Sequence, residues 1–188
     1  MSKTLKIIGL FMVILILFKS PFYRLTIKYR EIGIRPEVKI KDEMLIKVIK
    51  IKSINREMNM EGIVEIANEI TNTELAFTIR QKSNDPNELI YLKRANCMGY
   101  SAMFNSIANY LIRENGLETK IEAQHKIGKL EFLGIDLHQF FENPFYKNHD
   151  YNQIRNLESG KIVSIDPSVS DYLWIKKITT NQQRDDSK

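Results

Sequence analysis

At 188 residues and 43% hydrophobic content, the chain is long enough to bury one core and too short to suggest several domains. Its net charge of +5 is unevenly placed: residues 1–30 carry six of the 28 Lys and Arg and none of the 23 acidic residues, leaving 22 basic against 23 acidic elsewhere. A near-neutral remainder with no basic run interleaved with aromatics gives no footing for nucleic-acid binding, and a single cysteine excludes an internal disulfide.

The first feature in chain order is the unbroken apolar run Ile7 to Phe18, preceded by Lys3 and Lys6 and closed by Lys19. As a helix its 12 residues reach about 18 Å against a hydrocarbon core of about 30 Å. With no small-x-small cleavage site after it, the run reads as an uncleaved signal anchor, Lys6 and Lys19 snorkelling and Phe22 and Tyr23 at the interface. The basic stretch Lys19 to Arg30 suits anionic headgroups. A charged start followed by a short apolar run is an export pattern, so the domain is expected outside the cytoplasm. The cations beyond the run argue for the opposite orientation. Residues 1–30 are therefore read as anchor and juxtamembrane segment, 31–178 as the domain, and the polar stretch 179–188 as a disordered tail.

Within the domain, Ile63, Ile66, Ala67 and Ile70 recur at helical spacing, with Glu61, Glu65 and Glu69 on the other side. Asp85-Pro86-Asn87-Glu88 combines a cap, a first-turn proline and an acidic third helical position, which predicts a short helix start. A longer helix is predicted from Cys97, carried by the stripe Met103/Phe104, Ile107/Ala108 and Leu111/Ile112 and stopped near Gly116. Residues 119–137 read as strands, and Asn143-Pro144 as a loop. Beyond it, 148–157 and 161–166 form two extended runs joined at Glu158-Ser159-Gly160, a hairpin signal.

The chemistry centres on Cys97. At a helix start, its sulfur lies beside free backbone N–H groups and the positive end of the helix dipole, which favours thiolate. The bland alternative is a buried, inert small hydrophobe. In an antiparallel hairpin the start of the first strand and the end of the second share an edge, which would bring His149 and Asp166 together. An imidazole backed by a carboxylate can take a proton from a thiol and return it to a leaving group. His138, two residues after Asp136 on an expected strand, is the rival base. His125 reads as a surface residue. The three histidines have no short-range ligand spacing, so neither a metal nor another cofactor is expected, and no glycine loop suited to phosphate is present.

Cys, then His, then a strand-terminal Asp-Pro resembles the transglutaminase-like superfamily of papain-type thiol enzymes. Arg94-Ala95-Asn96-Cys97-Met98-Gly99-Tyr100-Ser101-Ala102 is similar to its Gly-x-Cys-x-x-Tyr-Ala segment, His149-Asp150-Tyr151-Asn152 to its His-Ala-Trp-Asn segment, and Ile165-Asp166-Pro167-Ser168 to its Asp-Pro-Thr. The resemblance covers roughly Ile63 to Trp174 and places nucleophile, base and orienting acid on Cys97, His149 and Asp166. Two positions depart from the pattern: Tyr151 stands for tryptophan, and Asp150 adds a negative charge beside the base. The resemblance implies an α+β papain/transglutaminase-like core, the nucleophile at a helix N-terminus packed on an antiparallel sheet. It also implies cleavage or transfer at amide or ester bonds of a protein or peptide, with backbone N–H groups beside Cys97 as oxyanion donors. A non-catalytic binding module retaining the fold is the alternative, and a membrane-anchored structural protein with an inert cysteine a third reading.

Overall fold

The computed structural model describes residues 18–80, 83–143 and 146–181. These fold as α+β: α1 (Lys19–Thr26), β1 (Ile27–Arg35), α2 (Glu43–Ser53), α3 (Met60–Glu74), β2 (Ala76–Phe77), α4 (Pro86–Leu92), β3 (Arg94–Ala95), α5 (Cys97–Glu114), β4 (Ile121–Phe132), β5 (Ile135–Asp136), β6 (His149–Asn156), β7 (Ile162–Ile165) and α6 (Pro167–Leu173). The main sheet has the order β1-β4-β6-β7, with β5 folded back on β4 and every pairing antiparallel. Beside it, β2 and β3 form a two-residue parallel pair.

Helix starts follow local capping chemistry. Asp42 accepts from the Leu45 N–H, Asn59 from Gly62, Asp85 from Asn87 and Asn96 from Gly99, each occupying donors that the first helical turn leaves without intrahelical acceptors. Proline occupies the first turn of α4 and α6, where its missing N–H costs nothing. Gly116, at φ +64°, takes the left-handed conformation just past α5, and Gly160, at φ +71°, does so in the hairpin turn.

Packing sets three layers. Tyr100, Met103, Phe104, Ile107 and Leu111 of α5 are buried between the apolar stripe of α3 (Ile63, Ile66, Ala67, Ile70) and one face of the sheet, where Ile121, Ala123, Ile154, Val163 and Ile165 complete the core. On the other face a smaller cluster joins Tyr29, Tyr151 and Ile178, flanked by Tyr23, Ile27 and Leu130. The long central helix is thus clamped on both sides, which fixes where Cys97 stands relative to the strand ends.

Two expected boundaries move. A domain start at residue 31 would cut β1 in half, because that strand begins at Ile27 and pairs with β4 from there. Tyr29, within the supposed juxtamembrane segment, is fully buried. At the other end Thr180 is buried and bridges to Tyr29, whose N–H donates to the Thr179 carbonyl at 3.0 Å. The fold therefore takes in residues 19–30 and 179–181, while 1–17 and 182–188 lie outside the described residues. The anchor run Ile7–Phe18 is among the latter, except for Phe18 itself. Among the described residues no helix is long and apolar enough to cross a membrane.

Candidate active site

Cys97 opens α5. The chain ahead of it is held by β2 and the residue that follows that strand: the Ala76 N–H donates to the Lys93 carbonyl and the Thr78 N–H to the Ala95 carbonyl, both at 2.8 Å. Asn96, buried, then turns the chain into the helix by taking the Gly99 N–H. The first-turn N–H groups of Cys97 and Met98 have no intrahelical acceptor, so they are the donors a developing oxyanion would meet. Farther along the helix, the buried Tyr100 hydroxyl donates to Asp171 Oδ2 at 2.7 Å, tying α5 to α6.

His149 is the first residue of β6 and Asp166 follows the last residue of β7. The hairpin register pairs Asn152 with Ile165, so His149, three residues before Asn152, and Asp166, one after Ile165, come to the same edge. There His149 Nε2 donates to Asp166 Oδ2 at 2.6 Å. Cys97 lines the same cavity as the imidazole and stands close enough to help hold its proton. With Nε2 committed to the carboxylate, Nδ1 is the ring nitrogen that remains for the thiol. The three side chains singled out from the sequence therefore converge.

Asp166 has more partners than the hairpin argument supplies. It is fully buried and caps α6, its Oδ1 accepting from the Ser168 hydroxyl at 2.6 Å and from the backbone N–H groups of Ser168 and Val169. Its Oδ2 also accepts from the Tyr29 hydroxyl at 2.7 Å, which in turn receives the Tyr23 hydroxyl at 2.7 Å. Burial alone would push this carboxyl up; the neighbouring His149 charge and hydrogen bond, then Ser168 and Tyr29, outweigh it and hold the group below its ordinary 3.8. For His149 burial pulls the other way and is likewise outweighed, by Asp166 and then by Cys97, leaving the imidazole well above 6.5. Both shifts describe an imidazolium held between a carboxylate and a sulfur.

Three expectations fail in their details. Asp150, read as a negative charge beside the base, points to the opposite side of β6 and is buried against Arg35 Nε at 2.5 Å and His125 Nε2 at 2.9 Å. Alternation along the strand is the reason. His125 is accordingly buried, not on the surface, because Ile121, Ala123, His125 and Ile127 share one side of β4. Arg35 brings its charge near Cys97: its proton is held first by the bond to Asp150, against burial, and then by the charges of Asp150 and Cys97. The third case is His138. β5 ends at Asp136, whose side chain accepts from the His138 N–H and starts a 3-10 turn (Leu137–Phe140), so the two residues do not share a strand face.

Cys97 and His149 line one cavity of about 310 Å³. Phe77 of β2, Ile79 just beyond it, Leu130 of β4, and Leu137, His138, Phe141 and Tyr146 form most of its wall. Among the described residues, no group of three or more His, Cys, Asp or Glu side chains is placed to hold a metal. Comparison of the chain with protein-family models, with curated proteins and with solved structures gives no match, so geometry carries the functional argument.

Proposed function

We propose that this chain is a membrane-tethered thiol enzyme of the transglutaminase-like kind, acting on amide or ester bonds of a protein or peptide. Cys97 Sγ, having given its proton to His149 Nδ1, attacks the carbonyl carbon. His149 then passes that proton to the departing amine or alcohol, and the acyl-enzyme is resolved by water or by an acceptor amine. Asp166 holds the imidazole in the tautomer that offers Nδ1 to the thiol and stabilises the imidazolium, while the first-turn N–H groups of α5 receive the oxyanion.

The observation that carries this reading is one ring with two neighbours: His149 Nε2 bonded to Asp166 at 2.6 Å, and the same imidazole beside Cys97 at the wall of a shared cavity. An inert structural cysteine has no need of a buried carboxylate with five donors behind its neighbour. A helix packed through its N-terminus on an antiparallel sheet supports the papain/transglutaminase-like core. Tethering rests on the apolar run Ile7–Phe18, with the domain placed outside the cytoplasm; protease access to the domain in sealed cells tests that orientation.

The chemical test is alkylation by iodoacetamide from pH 5 to 9 on wild type, Cys97→Ala and His149→Ala. Wild type is expected to label well below the pH where a free thiol does, at about 8.5. His149→Ala is expected to lose that advantage and Cys97→Ala all labelling. An ordinary thiol profile that His149→Ala leaves unchanged would remove the enzyme reading and leave a binding module.

A further inference from the structure

The cavity beside Cys97 contains a second imidazole that the proposed chemistry does not use. His138 is 6% exposed, and its Nδ1 stands 2.6 Å from the Tyr146 carbonyl, an oxygen that can only accept. Nδ1 therefore carries the hydrogen, which makes Nε2 of the neutral ring a lone-pair acceptor. That nitrogen has no hydrogen-bond partner among the described residues. A buried acceptor left unpaired costs about 1–3 kcal/mol, a cost that a donor seated in the cavity His138 lines would relieve. The surrounding wall, Phe77, Ile79, Leu130, Leu137 and Phe141, is apolar and disfavours a charged arrival. Burial pulls His138 below 6.5, helped by the charges of Lys129 and His149 against the Tyr146 carbonyl and Asp136, and so keeps the ring an acceptor.

We propose that His138 Nε2 is the specificity-determining acceptor of this cavity, selecting an apolar, ring-sized group that ends in one hydrogen-bond donor, such as a phenol. On the thiol-enzyme reading, on which this assignment of purpose rests, that group is the substrate side chain next to the carbonyl presented to Cys97. About 310 Å³ holds one aromatic side chain with room to turn. The wall supplies affinity without direction; the imidazole supplies the direction. A site built around a donor rejects the analogue that lacks it, because binding that analogue leaves the acceptor unpaired.

The test compares 4-fluorophenol with fluorobenzene, which has the same ring and no donor, by 19F NMR titration of the full chain. Wild type is expected to bind the phenol about three- to tenfold more tightly, and the 15N resonance of His138 Nε2 to move with the phenol and not with fluorobenzene. His138→Leu is expected to bring the two affinities together while keeping that for fluorobenzene, and His138→Gln, which restores an acceptor, to recover part of the preference. Both ligands should slow iodoacetamide labelling of Cys97. Equal affinities in wild type, a phenol preference that survives in His138→Leu, an unmoved His138 resonance, or binding that leaves Cys97 unprotected would each overturn the assignment. An inert thiol in the labelling series defeats the enzyme reading alone, and a missing phenol preference defeats this one alone.

Discussion

At the level of single residues, the unexpected participant is Tyr29. Its hydroxyl donates to Asp166 Oδ2 and accepts from Tyr23, and its ring stands edge-on to His149, the centroids 5.8 Å apart. Burial and the Asp166 charge keep this phenol protonated far above its ordinary 10.0, so it remains a donor throughout any working pH. Tyr29→Phe removes one of two donors on Oδ2 and leaves the Tyr23 hydroxyl without its acceptor. A loss of about 1–3 kcal/mol is expected. Tyr23→Phe keeps the bond to Asp166 intact and should cost under about 1 kcal/mol. Urea denaturation with unchanged slope separates the two; an equal or reversed order would show that the phenol chain does not act through the carboxylate.

Among elements, the β4–β6 pairing governs where the imidazole sits, and a glycine governs the pairing. Gly128 lies opposite His149, and a Cβ there would come within 2.9 Å of Tyr151 Cε1 and 3.3 Å of the Arg30 carbonyl. Tyr151 is fully buried against Tyr29 and cannot yield cheaply. Gly128→Ala is therefore expected to cost about 1–3 kcal/mol as overpacking and to slow thiol labelling at neutral pH, because the hairpin carrying His149 has to shift. At Gly33 the nearest atom to an added Cβ is Ile127 Cδ1 at 3.5 Å, ordinary contact, so Gly33→Ala should leave the melting temperature nearly unchanged. Equal melting temperatures for both variants would contradict this account. The same elements show why some of the site was legible and some not. Cys97, His149 and Asp166 sit at element ends, where caps, proline and turn glycine leave signals in short windows. Tyr29 does not: β1 has an irregularity between Glu31 and Gly33, which breaks the alternation after Ile27 and Tyr29, and its flanking cations resemble a headgroup-binding stretch. β2 and β3, two residues each, are too short for any period to show, although they set Phe77 beside Cys97. His125 was readable in principle, since it keeps step with Ile121 and Ala123.

On the scale of the whole molecule, the site is bound to stability because its charged groups are buried in a core-bearing sheet. Asp166 and Asp150 are both held below 3.8 in the fold, burial opposing and their cationic partners prevailing. A carboxyl depressed by folding contributes stability that is present above its unfolded value and is lost as pH falls through the folded one. His149, raised well above 6.5, contributes stability that is complete below 6.5 and is lost as pH rises through its folded value. His138, held below 6.5 by its burial, works in the opposite sense: its share is present above 6.5 and lost as pH falls toward its folded value. The wild-type urea midpoint should accordingly fall below pH 3.8, and on the alkaline side it should carry a loss beginning above 6.5 that belongs to His149. Asp166→Asn tests that loss, because it removes the charge that raises His149. The variant should be less stable throughout the plateau, and the gap between it and wild type should narrow as pH climbs past 6.5. A gap constant from pH 5 to 9 would mean that His149 carries no extra proton in the fold, and the imidazolium between Cys97 and Asp166 would have to be given up.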